Sequence, residues 1–192
     1  LKIVSDAVRE MSEGELLQMQ KSRKLNITEA EYFEIIRKKT ATLIASCCAC
    51  GAHSAGASKD TVSKMWEFGQ TLGIAFQIKD DLLDYRSKGL TGKPAANDIK
   101  EKKLTLPLIY SLGLNKNSST KRILRIINRG NSNAHNINDI IGFVNDSGGI
   151  QYAEGKMTEY KNKALDLLSE YPSSPALTSV RPHSFSVFDT NK

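Results

Sequence analysis

Apolar side chains recur at helical spacing along almost the whole chain. Ile3, Val4, Ala7, Val8, Met11 and Leu16 form one stripe and predict a helix over residues 1–20. A short linker, Leu25-Asn26-Ile27, follows. Thr28-Glu29-Ala30-Glu31 then has the capping-box pattern, with Thr28 as cap and Glu31 reaching back. It opens a second helix that runs through Tyr32, Phe33, Ile35 and Ile36 to about Gly51. Residues 41–50 are almost wholly small or apolar, which predicts a segment buried on most sides. After a glycine-containing break at 51–56, Ser58 or Asp60 can cap a third helix over residues 61–85. Gly69 and Gly73 lie four apart on its surface and predict a close approach by another helix. Residues 86–103 read as a polar, glycine- and lysine-rich loop. A further helix starts near Leu104, with Pro107 tolerated in its first turn. Two short helices follow near 120–128 and 137–144. A long one over 150–171 has Tyr152, Met157, Tyr160, Ala164, Leu167 and Leu168 on its inner side. No strand pattern outweighs these periods. The prediction is an all-α domain over residues 1–171 and an irregular tail over 172–192.

One feature breaks the apolar regularity. The run Phe76-Gln77-Ile78-Lys79-Asp80-Asp81-Leu82-Leu83-Asp84-Tyr85 sets three carboxylates among core-type residues. On a helix Asp80 and Asp84 are neighbours, with Cβ atoms about 5–6 Å apart. Two such charges repel by about 1 kcal/mol in water and about 4 kcal/mol at a partly buried site. A divalent cation removes the conflict, and Mg²⁺ commonly bridges carboxylates to a substrate phosphate. A solvated helix end is the other reading of the same residues. Lys39 and Thr40 stand just before the small-residue segment. There a lysine either binds a phosphate or only carries its ammonium out to water. The loop after the carboxylates contains Lys93 and ends at Lys103. Acids followed by a basic loop suit a metal–diphosphate site, and a plain connector gives the same composition.

Composition narrows the classes. A chain of 192 residues with 40% hydrophobic and 25% charged content has enough material for a core. No run of eighteen apolar residues occurs, so no transmembrane helix is predicted. The first residues lack a signal-peptide profile and an initiator Met, so the chain is expected to start inside a longer one. The net charge of +6 admits an anionic ligand, a membrane surface or nucleic acid. Aromatics are not interleaved with the basic residues, which argues against nucleic acid. Adjacent Cys47 and Cys48 do not fit a zinc-ligand pair, Cys47 and Cys50 with His53 give a metal cluster as the alternative reading, and an odd number within one helix points to a reducing compartment. They are expected to pack as small buried side chains.

Taken together, several stretches carry a family resemblance. Gly69-Gln70 through Phe76-Gln77-Ile78-x-Asp80-Asp81-x-x-Asp84 resembles the second aspartate-rich motif of the trans-isoprenyl (polyprenyl) diphosphate synthases. Lys39-Thr40, Gly92-Lys93-Pro94, Asp98 and Lys103-x-Thr105-Leu106-Pro107 are similar to that family in order and spacing. So are Gly14-Glu15-Leu16-Leu17-Gln18 and Ser147-Gly148-Gly149-Ile150-x-Tyr152-Ala153. The resemblance spans roughly residues 1–171 and is most like the long-chain, octaprenyl- or solanesyl-type members. It implies an all-α bundle of the isoprenoid synthase type. It implies Mg²⁺-dependent condensation of isopentenyl diphosphate with an allylic diphosphate. By position it implies Asp80, Asp81 and Asp84 at the metal, and Lys39, Thr40, Gln77, Lys93 and Lys103 at the diphosphate. Lys39, Asp80 and Lys93 would be the catalytic residues, and Asp98 would organise the basic loop. It further implies a cytoplasmic homodimer, with peripheral membrane contact through a lipid product and no nucleic-acid partner.

Three departures stand beside the resemblance. The family's earlier aspartate-rich motif is absent, so the chain is expected to be truncated at its N-terminus. Ala96 replaces a glycine common in the Gly-Lys-Pro loop. The stretch around Arg181-Pro182-His183 does not resemble the family's closing helix. A non-catalytic subunit or inactive fragment keeping the diphosphate half-site is the alternative function. A basic helical module for acidic surfaces is a more distant one.

Overall fold

The computed structural model describes residues 1–86, 97–114, 118–130, 133–175 and 177–178. Among these the chain is all-α, as the pattern predicts. In order it forms α1 (Lys2–Lys24), α2 (Glu29–Ile36), a π-helical turn (Arg37–Ala41), α3 (Thr42–Ser54), α4 (Lys59–Arg86), α5 (Asn97–Lys100), α6 (Leu106–Leu114), α7 (Ser118–Arg129), α8 (Ala134–Asp146) and α9 (Gly149–Ser169). No helix among the described residues is long and apolar enough to cross a membrane.

The 28-residue α4 is the central element, with α3 packed on one side and α9 on another. It sends Phe68, Ile74, Ala75, Ile78, Leu82 and Tyr85 into the core. These meet Leu106 and Leu108 of α6, Ile140 and Val144 of α8, and Met157, Ala164 and Leu168 of α9. Gly69 is where α3 comes close and Gly73 is where the end of the π-turn does. A Cβ on Gly69 would lie 2.7 Å from the Ala45 Cα, and one on Gly73 would lie 2.6 Å from the Ala41 Cα. The spacing of these two glycines is therefore a packing requirement.

Local chemistry sets the helix ends. The Thr28 hydroxyl accepts from the Glu31 N–H, while the Glu31 carboxylate accepts from the Thr28 N–H at 2.8 Å. The Glu31 carboxyl is held at about 2, chiefly by the hydrogen bond from the Lys21 ammonium and then by the Thr28 N–H. Leu25 takes a left-handed conformation (φ 49°) that ends α1 after Lys24, one turn later than its apolar stripe indicates. Ser58, not Asp60, caps α4 by accepting from the Thr61 N–H at 3.2 Å.

Three expectations need correction. The second helix is not uniform, because residues 37–41 form a π-turn between α2 and α3. The Arg37 carbonyl oxygen accepts both the Thr42 N–H, five residues on, and the Thr42 hydroxyl at 3.0 Å. The small-residue segment that follows is buried on one face only. Ala45, Ser46 and Ala49 are buried, whereas Leu43 and Cys47 are exposed and Cys48 and Cys50 half-buried. Small side chains let α3 approach α4 on that face without requiring neighbours on the other. Finally, the tail opens in order. The Thr178 N–H reaches the Ser174 carbonyl at 2.9 Å, the Leu177 N–H is held by the Ser174 hydroxyl, and Leu177 packs on the core. Residues 179–192, which include Arg181-Pro182-His183, lie outside the described residues.

The glycine contacts give a paired test. Gly73→Ala should destabilise the chain by about 1–3 kcal/mol in urea denaturation, because the added methyl overlaps the Ala41 backbone at the end of the π-turn. Gly155→Ala on α9 has nothing within 4 Å of its new Cβ. It should be neutral or stabilise by up to about 1 kcal/mol.

Candidate functional site

The carboxylate end of α4, the π-turn, the end of α1 and the segment around α5 enclose a cavity of about 250 Å³. Each wall has a local reason for its position. α1 can lie against the π-turn because Gly14 has no side chain: a Cβ there would be 2.8 Å from the Lys39 nitrogen. Arg37 then pairs with Glu10 at 2.8 Å, Lys38 with Glu13 at 2.7 Å and Lys39 with Glu15 at 2.7 Å. Lys39 also donates to the Gln18 side-chain oxygen at 2.6 Å. Glu15 and Gln18 are thus the partners that hold Lys39 at the cavity. Three successive ion pairs tie this turn to α1.

The opposite wall is built around Asp81. Its side chain is buried, with the residue 5% exposed. The Tyr32 hydroxyl donates to Asp81 Oδ2 at 2.6 Å, and Gln77 Nε2 donates to Oδ1 at 2.8 Å. Gln77 in turn accepts from the Thr40 hydroxyl at 2.7 Å. One chain of hydrogen bonds therefore joins α2, α4 and the π-turn. Burial pushes the Asp81 carboxyl up to about 7, against the lowering effect of its Tyr32 and Gln77 bonds, with Asp98 and Asp80 adding to the rise. Burial and the same carboxylate hold the Tyr32 phenol well above its ordinary range.

The other acids differ in role. Asp80 is exposed and lines the cavity. Asp84 accepts the backbone N–H groups of Asn97 and Asp98 at 2.9 and 3.0 Å, and so fixes the start of α5. Asp98 lines the cavity, and its carboxyl is raised first by burial and then by Asp84, with Lys103 opposing. Lys103 pairs with Glu101 and lies 4.0 Å from Asp98. The short α5 stands within the span expected to be loop. Its first N–H groups would be unpaired without the Asp84 carboxylate.

Of the residues singled out from the sequence, Lys39, Thr40, Gln77, Asp80, Asp81 and Lys103 come together on this cavity. Asp84 stands behind it, at the α5 cap. Lys93, with Gly92, Pro94 and Ala96, lies outside the described residues. The sequence reading missed Tyr32, which looks like one more core aromatic at helical spacing, and Lys21. Among the described residues no three carboxylate, histidine or cysteine side chains form a metal cage. The donor set instead fits Mg²⁺, which keeps several waters and takes one or two carboxylates plus phosphate oxygens. After burial, Asp84 and then Asp80 help raise the Asp98 carboxyl, a repulsion that such a cation would relieve.

Removing the Tyr32 hydroxyl should leave a buried oxygen of Asp81 without its donor. Tyr32→Phe is expected to cost about 1–3 kcal/mol by urea denaturation with the helical content kept. Unchanged stability would show that this hydrogen bond is not a structural tie.

Comparison with known proteins gives concordant matches. The Polyprenyl synthetase family pattern matches residues 1–144. The chain is 32% identical over 176 residues to octaprenyl diphosphate synthase from Escherichia coli (strain K12), covering 91% of this chain and 54% of that protein. It is 32% identical over 176 residues to geranylfarnesyl diphosphate synthase from Aeropyrum pernix, with the same 91% and 54% coverage. The fold is similar to a solved polyprenyl synthase from Caulobacter crescentus CB15, complexed with calcium and isoprenyl diphosphate. That similarity has a TM-score of 0.92 at 30% identity and covers 100% of this chain and 59% of that one. The chain thus spans about half the length of the curated relatives it matches.

Proposed function

Because this chain belongs to the Polyprenyl synthetase family, we propose that its cavity holds the diphosphate of an allylic substrate for condensation with isopentenyl diphosphate. The observation that carries this reading is a single cavity. It sets Asp80, Asp81 and Asp98 beside Lys39 and Lys103, with Thr40 and Gln77 between them. The Caulobacter relative, solved with calcium and isoprenyl diphosphate, supports the same pairing of a divalent cation with a diphosphate.

Asp80 would hold Mg²⁺ directly. Asp81 and Asp84, whose oxygens already accept hydrogen bonds, would reach it through water. Mg²⁺ held there would supply neutralisation of the pyrophosphate charge, which makes pyrophosphate a better leaving group. Lys39 and Lys103 would bind further phosphate oxygens, with Lys93 joining by the family resemblance. Glu15 and Gln18 keep the Lys39 ammonium at the cavity rim, so little ordering is needed when a phosphate arrives. In the transfer, the allylic carbon–oxygen bond breaks and its electron pair leaves with pyrophosphate. The isopentenyl double bond then attacks the allylic carbon, and loss of a proton restores an alkene. The fixed cations act where negative charge develops on the leaving oxygen. A cytoplasmic homodimer fits this reading. Val4, Val8, Leu16 and Met19 of α1 and Leu43 of α3 expose apolar surface that a second subunit would cover.

The test is a condensation assay with labelled isopentenyl diphosphate, farnesyl diphosphate and Mg²⁺, run beside calorimetric titration of pyrophosphate with and without Mg²⁺. Labelled polyprenyl product and Mg²⁺-dependent pyrophosphate binding are expected. A folded chain that shows neither overturns the proposal. Asp80→Ala should abolish the Mg²⁺ dependence of pyrophosphate binding. Lys93→Ala should weaken that binding by about tenfold, roughly the loss of one charge-assisted hydrogen bond, with the thermal midpoint unchanged.

A further inference from the structure

Helix α7 carries Lys121, Arg122, Arg125 and Arg129 and no acidic residue. At 3.6 residues per turn these four fall within an arc of about 100°. All four are exposed, while Thr120, Ile123 and Ile127 on the other side are buried. Ser118 is the one other residue of α7 in the arc, so the face has no large apolar side chain. Arg122 pairs with Asp139 of α8. Lys121, Arg125 and Arg129 form no ion pair among the described residues. A fifth cation stands at the end of the helix, where Lys102 Nζ donates to the Asn128 carbonyl at 2.8 Å.

Helix stability accounts for only part of this arrangement. Arg129 and Lys102 lie at the C-terminal end, where cations complement the helix dipole. Lys121 lies in the first turn, where a cation is unfavourable, and Arg125 gains nothing in mid-helix. The position on the surface matters too. The site cavity adjoins a hollow of about 230 Å³ with which it shares Gln18, Ser22 and Lys103. That hollow adjoins another, of about 330 Å³, which reaches Lys102 and Asn128. Two hollows therefore lead from the cavity to the C-terminal end of α7, next to Arg129.

We propose that the basic face of α7 docks the protein on a membrane surface rich in anionic lipid. A cation near such a surface is worth about 1 kcal/mol, and the attraction is screened by salt. α7 has no aromatic residue, so it offers no platform for stacking bases. Without large apolar side chains on the basic face, the contact is electrostatic and lies in the headgroup layer. This inference goes beyond the transfer reaction, and its readout does not depend on catalysis.

The test is cosedimentation of the 192-residue chain with two kinds of vesicle, phosphatidylcholine alone and a roughly 7:3 mixture of phosphatidylcholine and phosphatidylglycerol. The chain should bind the mixed vesicles only, and release at roughly 0.5 M salt. Lys121→Gln/Arg125→Gln/Arg129→Gln removes three cations and keeps good helix formers. Binding should fall about a hundredfold, at about 1 kcal/mol for each cation. Lys2→Gln/Lys24→Gln/Lys59→Gln removes the same charge from exposed positions elsewhere and should lose about tenfold or less. Arg125→Gln alone should lose about fivefold, which keeps the test open if the triple variant does not fold. Equal binding to neutral vesicles, or equal losses in the two triple variants, overturns the proposal. So does an absence of binding to the mixed vesicles, and duplex DNA binding that falls in the α7 variant would then assign the face to nucleic acid instead.

Discussion

Asp81 sets the terms for the structure around it. Its carboxylate stands on α4 beside Leu82, three residues after Ile78, both core residues, and is nearly cut off from water. A lone buried carboxylate is costly unless donors surround it. Tyr32 and Gln77 supply them, and Gln77 is in turn held by Thr40. The relative placement of α2, α4 and the π-turn follows from satisfying one acid. The cavity wall and the polar network are the same object, so the site inherits the rigidity of the core.

The lysines obey a complementary constraint. Lys38 and Lys39 meet a row of acids on α1, which Gly14 allows to come within backbone contact. Lys103 meets Glu101 and Asp98 on and beside α5. Among the described residues, Lys21, Lys39 and Lys103 at the cavity each have a local acidic or amide partner, so they are held in place before any anion arrives. Such partners lower the attraction for a phosphate but raise the precision with which it is received.

Much of this was legible in the chain. The apolar periods located the long helices to within about a turn, and the Thr28–Glu31 box and the Gly69–Gly73 pair carried their own structural meaning. Lys39-Thr40, the aspartate run and Lys103 together supply six of the residues that line the cavity. What could not be read depends on contacts distant in sequence. Tyr32 has the spacing of an ordinary core residue, and only its meeting with Asp81, 49 positions away, gives its hydroxyl a task. The exposed face of α3 was misjudged because small residues signal close packing without saying on how many sides. The four-residue α5 was unreadable for a related reason, since its cap, Asp84, lies 13 residues upstream.

The π-turn at Arg37–Ala41 has a geometric consequence. In a regular helix, side chains on α2 and α3 would share one fixed angular phase. One extra residue in the turn advances that phase by about 100°. The two halves can therefore answer to different neighbours. α2 aims Tyr32 at the acid of α4, while α3 turns Ala45 toward the gap left by Gly69. Insertion or loss of a single residue between positions 37 and 41 would rotate one of these faces away from its partner. Length, more than composition, is what this short stretch must conserve.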